Sequence, residues 1–455
     1  MWRSAWRLLA LSSLLACAFQ DARAASRPLY GGSLTVEIVE GLTFTDPGDW
    51  PHPLIPLVYD GLVHLDQRGQ MRPALALSWQ HDPEYKRWEF RLRPGVKFHD
   101  GSPVNAAAVV ASLAPHVIGS SVTPSGESVV LFQTEMASPD LPMQLADARH
   151  AVLRRGPDGV TSGSGPFRIA EWQPGRRAKL AANEEYWGGR PFLDSIQLQM
   201  GRALRDQSID LELGKADLAE LTIDDARRAA QRGMKTWASA ASDLVAFVFE
   251  RSSPAVEDAR LRQALALSIE RPAINNVLLQ KQGESTGALL PEWLTGYAFL
   301  FPAARDLERA RHLLAALGKP APRLSLAYDP ADPLARAIAE RIALNARDAG
   351  IMIQVLSGGR SDMRLVRLPL KSLDPALALA DSAAVLGMAE PFKSLSSTSP
   401  EALYRAEQKL LADFRAVPLF HVPSILGIGP RLRNWDPPRW GDWRLENVWL
   451  EGRTP

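Results

Sequence analysis

Cysteine is almost missing from this sequence: one residue, Cys17, in 455. That excludes an internal disulfide framework, a thiolate nucleophile in the body of the chain, and any metal site built on several thiolates. An excess of charge is missing too. Lys and Arg total 52 against 51 for Asp and Glu, with no run of like charges, so the composition offers nothing that would draw the chain to nucleic acid. The third absence is a long apolar run. The longest, LLALSSLLACAF, is well short of the roughly 20 residues that span a bilayer as a helix.

What is present reads as a soluble, multi-domain α/β chain. Apolar residues make up 46% and charged residues 23%, which is ordinary for a globular protein. The length is too great for one compact core, so two or three domains are expected. Thirty-five prolines and 32 glycines indicate many turns. At the start, MWRSAWR supplies two arginines, the apolar run follows, and Ala22-Arg23-Ala24 offers a small-x-small cleavage site. That order predicts a secretory signal peptide over residues 1–24. The alternative is Leu14-Leu15-Ala16-Cys17 as a lipobox, with Cys17 acylated and the protein tethered to a membrane.

Period-2 alternation predicts strands at Leu34–Val39, Trp88–Leu92, Phe167–Trp172 and Ile196–Met200. Helical spacing predicts helices over Asp258–Arg271, Leu307–Leu317, about Leu334–Ala349, and Glu401–Phe414. The third ends at Gly350 and runs into a strand over Ile351–Val355, the helix–glycine–strand grammar of an α/β domain. His99, Asp100 and Ser102 stand almost side by side, yet three neighbours on one turn cannot converge as a hydrolase triad must. Asp100-Gly101 reads as a turn and Asn105 as the cap of the helix that follows. No H-E-x-x-H and no G-x-S-x-G occurs, so neither a zinc hydrolase nor a serine hydrolase finds support.

Several stretches together resemble the family 5 extracellular solute-binding proteins, the binding subunits of ABC importers. They are Tyr59-Asp60-Gly61-Leu62-Val63; Pro73-x-Leu75-Ala76-x-Ser78-Trp79; and Leu92-Arg93-Pro94-Gly95-Val96-Lys97-Phe98-His99-Asp100-Gly101. Gly163-Ser164-Gly165-Pro166-Phe167, Asn183-x-x-Tyr186-Trp187-Gly188-Gly189, Gly214-x-x-Asp217 and Asp258-x-Arg260-x-Arg262-Gln263-Ala264-Leu265 follow in family order. The resemblance implies a periplasmic binding protein-like fold, two α/β lobes around a cleft with an extra domain inserted in the first lobe. It maps the first lobe to 28–56, 163–240 and the C-terminal return 425–455, the inserted domain to 57–162, and the second lobe to 241–424. It implies a monomer that closes on a small or peptide-like solute and delivers it to a membrane permease, with no cofactor and no chemistry on the solute.

The resemblance also bears on the ligand. The family's cleft segment reads Asp, five mostly apolar residues, Trp, two positions, Asp, two positions, Asp-Pro. Counting from Asp362 puts Leu368 in the place of Trp, Lys371 in the place of the first Asp, and Asp374-Pro375 in register. In the family's peptide binders that first Asp pairs with the ligand α-amino group; Lys371 would repel it. If Lys371 faces the cleft, a ligand with a carboxylate or other anionic group is expected, in a pocket widened by Leu368; the alternative is that Lys371 points to solvent. Other cleft candidates are Thr43, Phe44 and Thr45 after the first strand, with Trp293 and Tyr297 as aromatic walls. A binding module for sensing or chaperoning without transport, and an exported hydrolase, are the alternatives.

Overall fold

The computed structural model describes residues 27–42, 54–66, 68–117, 119–156, 161–297, 303–318, 320–388, 399–440 and 442–452. Three sheets organise them. The first has seven strands, in the order Phe167–Gln173, Arg177–Ala182, Ser195–Gln199, Ser33–Glu37, Leu218–Glu220, Ile425–Ile428 and Lys235–Ala238. Ser33–Glu37 runs parallel to both of its neighbours, and the hairpin Phe167–Ala182 adds antiparallel strands at one edge. Helices Leu204–Glu212 and Ile223–Gln231 belong to this lobe; Thr222 caps the second by accepting a bond from the Asp225 N–H at 3.0 Å.

The second sheet has six strands, Glu284–Ser285, Ala416–Val422, Asp243–Phe249, Met363–Leu368, Leu324–Tyr328 and Ile353–Ser357. Asp243–Phe249 and Ala416–Val422 are buried at every position. Their near-continuous apolar runs, rather than alternation, follow from cover on both faces. Helix Ala335–Ala349 buries Ile338, Ile342 and Ala346 against this sheet and stops at Gly350, whose φ of 99° suits only glycine well.

The helix read over Asp258–Arg271 is two helices, Ala259–Ser268 and Arg271–Val277. Asp258 caps the first, as its place in the sequence suggests. Ile269 is extended (φ −82°, ψ 124°), and Pro272, which has no N–H to give an interior turn, starts a new helix. The strand expected at Ile351–Val355 lies two residues later, at Ile353–Ser357.

Between the first-lobe strands lies a four-stranded antiparallel sheet, Ala76–His81, Arg87–Leu92, Val129–Thr134 and Ser120–Ser125, with helix Ala106–Leu113 on it. Its core holds Phe90, Phe132, Trp88 and Val109. The His99–Ser102 turn is punctuation. Asp100 Oδ1 accepts from the Ser102 N–H at 2.9 Å and its hydroxyl at 2.5 Å, His99 Nε2 lies 3.0 Å from the Gly165 carbonyl, and Asn105 caps Ala108.

The chain passes between the seven- and six-stranded sheets twice, at 239–242 and at 423–424. The two passages are tied together: the Ser239 N–H donates to the Ser424 carbonyl at 3.0 Å, and the Ser424 N–H to Ser239 Oγ at 2.9 Å. Two short antiparallel tethers between two sheets form the geometry of a hinge.

Candidate functional site

A cavity of about 280 Å³ sits beside these tethers. Ile38, Glu220 and Trp237 line it from the first sheet, Asp66, Met143 and Asp147 from the inserted domain, and Ser239 and Ser424 from the tethers themselves. The second lobe contributes Asp243 and the segment Pro369–Asp374; the C-terminal return contributes Trp440, Asp442 and Trp443. An adjoining space of about 950 Å³ shares Leu65, Met143, Leu373, Asp374 and Trp440 with it and adds Arg68, Trp293 and Arg439.

Carboxylates outnumber cations in the inner wall, but most are already engaged. Asp66 pairs with Arg72 at 2.7 Å, Asp147 with Arg149 at 2.8 Å, and Asp243 with Arg367 at 2.9 Å. Glu220 accepts from the Val39 N–H at 2.6 Å. Burial raises Glu220 and Asp374 toward their neutral forms, and takes Asp442 up to about 7 with Asp147 adding to the shift. Lys371 lines the cavity and forms no ion pair or hydrogen bond among the described residues.

The other expected site residues fall in different places. Asp374 lines both spaces and is only 2% exposed; Oδ1 accepts from the Ala376 and Leu377 N–H groups at 2.9 Å each, capping helix Pro375–Val385. Trp293 lines the outer space, stacks on Trp440 with centroids 5.1 Å apart, and donates from Nε1 to the Ala241 carbonyl at 3.0 Å. Tyr297 is spent elsewhere: its hydroxyl donates to Glu407 at 2.7 Å and its ring meets Tyr404 edge-on. Thr43, Phe44, Thr45 and Cys17 lie outside the described residues.

The sequence reading passed over Asp147, Trp237, Trp440, Asp442 and Trp443, all of them in the wall. One signal was available: Trp435, Trp440 and Trp443 stand within nine residues near the C-terminus, a density unusual for a rare residue type. Trp435 and Trp443 anchor that segment in the first-lobe core, which holds Trp440 and Asp442 at the cavity.

Two α/β sheets tethered twice, with a cavity walled from both and from an inserted domain, define a two-lobe fold around a cleft. Residues 70–379 match the model for the middle region of the bacterial extracellular solute-binding proteins, family 5, and the chain belongs to that family. It is 24% identical over 305 residues to the oligopeptide-binding protein AppA of Bacillus subtilis, covering 59% of this chain and 55% of that one. It is 25% identical over 321 residues to the probable D,D-dipeptide-binding periplasmic protein DdpA of Escherichia coli, covering 64% and 61%. The matched region thus spans a little over half the length of these curated relatives. The fold superposes on the crystal structure of NikZ from Campylobacter jejuni in complex with Ni(L-His), with a TM-score of 0.81 at 18% identity, over 92% of this chain and 99% of that one. The expected periplasmic binding protein-like architecture is therefore the one observed.

Proposed function

We propose that this chain is the exported solute-binding subunit of an ABC importer, which captures a small or peptide-like solute between its lobes and hands it to a membrane permease. The observation that supports it most is the cavity astride the two tethers, with walls on both sheets. A solute touching both walls binds the closed arrangement more tightly than the open one, and that difference alone drives closure. Residues 1–24 serve as the export signal in this reading, and the lobes follow the boundaries given by the resemblance.

Relatives named for oligopeptides and D,D-dipeptides favour a peptide-like solute. Lys371, an exposed cation on the inner wall, favours holding it by a carboxylate, since an ammonium there would meet a like charge. Among the described residues no three His, Cys, Asp or Glu side chains are grouped to hold a metal ion, so a metal would arrive as a chelate with its own ligands. The test is a thermal-shift screen of the full chain against amino acids, free peptides, C-terminally amidated peptides, dicarboxylates and metal chelates. A bound solute at about 100 times its Kd adds roughly 2.7 kcal/mol to the folded state. Stabilisation by free but not amidated peptides, or by dicarboxylates, supports the reading. Equal stabilisation by amidated peptides refutes the carboxylate assignment.

A further inference from the structure

Arg149 sits where the inserted domain meets the second lobe. Its Nε donates to Asp147 at 2.8 Å within its own domain. Its Nη2 and Nη1 reach Asp381 at 2.7 and 3.4 Å, a forked contact 232 residues along the chain. Asp147 is a wall residue of the inner cavity. Asp381 lies on helix Pro375–Val385, whose cap, Asp374, lines the same cavity. One guanidinium therefore links two pieces of the wall that no tether joins, because both tethers run between the two lobe sheets. Arg149 and Asp147 are largely buried and Asp381 half-buried. A forked, partly desolvated pair of this kind is stronger than an exposed one.

We propose that Arg149 and Asp381 form a latch by which the inserted domain grips the second lobe and holds the cleft shut. Asp147 fixes the angle of the guanidinium, so Arg149 is presented to Asp381 already oriented. The contact spans two domains, so it contributes to the closed arrangement and not to an open one, and its loss moves the balance between them. The Trp293–Trp440 stack also joins the second lobe to the C-terminal return, so loss of the latch shifts that balance without abolishing closure. The latch rests on the hinge reading of the cleft, but it needs no assumption about the solute.

The test is a distance measurement between nitroxide labels on the ligand-free full chain. With Cys17→Ser the chain has no cysteine, so Glu135→Cys on the inserted domain and Glu340→Cys on the second lobe take the labels cleanly. In this background Asp381→Asn is expected to raise the longer-distance population at least about fivefold, while Asp381→Glu keeps the original distribution. Circular dichroism melts confirm that each variant is folded. An unchanged distribution in Asp381→Asn overturns the latch, and so does an equal shift in Asp381→Glu, which would trace the effect to shape and not to the ion pair. A failed latch leaves solute capture standing, and a failed solute screen leaves the distance result intact.

Discussion

Two polar segments of this chain lead into helices, and the fold uses them differently. Before helix Ala106–Leu113, each polar side chain is committed to its neighbours: Asp100 to Ser102, His99 to Gly165, Asn105 to Ala108. Before helix Pro375–Val385 the same devices recur, with Ser372 Oγ accepting from the Asp374 N–H at 3.0 Å and Asp374 capping two N–H groups. Two groups are left over in the cavity wall, the exposed Lys371 ammonium and the buried Asp374 Oδ2, neither with a partner among the described residues. Polar residues that satisfy the backbone build structure; a site begins where one is left over beside a space. The first kind should cost stability when removed, and the second should cost binding.

The largest loss of stability is expected at Glu407, the fully committed extreme. Buried at 0% exposure, it accepts bonds from the Leu289 and Leu290 N–H groups and the Tyr297 hydroxyl. Glu407→Ala leaves two buried N–H donors and the half-buried Tyr297 hydroxyl without an acceptor, a loss of about 4 kcal/mol in urea unfolding. Burial also raises this carboxyl from an ordinary 4.5 to about 7. The native state then holds a proton that the unfolded chain has released, so its contribution is full below pH 4.5 and is lost as pH rises through 7. Glu407→Gln should flatten the stability profile across that window relative to wild type. An unchanged slope would place the titration elsewhere.

Next comes the support of the first turn. The His99 N–H donates to the Gly163 carbonyl at 2.7 Å, and a Cβ on Gly163 would lie 2.0 Å from the Val58 carbonyl oxygen. Gly163→Ala must move backbone and should lower stability by about 3 kcal/mol in the same assay. Lys371→Ala should show the reverse pattern: affinity for a carboxylate-bearing solute falls by about 2 kcal/mol, roughly 30-fold, with stability unchanged within about 0.5 kcal/mol. A loss of stability with no loss of affinity would break the distinction. The smallest effect is Asn105→Ala, about 1 kcal/mol of stability for a lost cap and no change in solute affinity, read by thermal melts and titration together.

Local grammar was legible in the sequence because it is written within a few residues. The Asn105 and Asp258 caps and the stop at Gly350 depend on side chains and φ values that a short window specifies. The break at Ile269 was less so, since leucines at helical spacing run up to it and only Pro272 hints at the restart. The cavity wall was the least legible part. Ile38, Asp147, Lys371 and Trp440 meet only because sheet order brings distant segments together, and no periodicity within a segment encodes that pairing. Trp293 and Tyr297 show the limit from the other side: two aromatics four residues apart, one beside the outer space and one bound to Glu407.

The most direct test of the account is calorimetric titration of the wild-type chain and Lys371→Ala with one dipeptide in free and C-terminally amidated forms. The account predicts that wild type binds the free form at least about tenfold more tightly than the amidated one, and that Lys371→Ala binds both alike. Equal binding of both forms by wild type, or a preference that survives in Lys371→Ala, would contradict it.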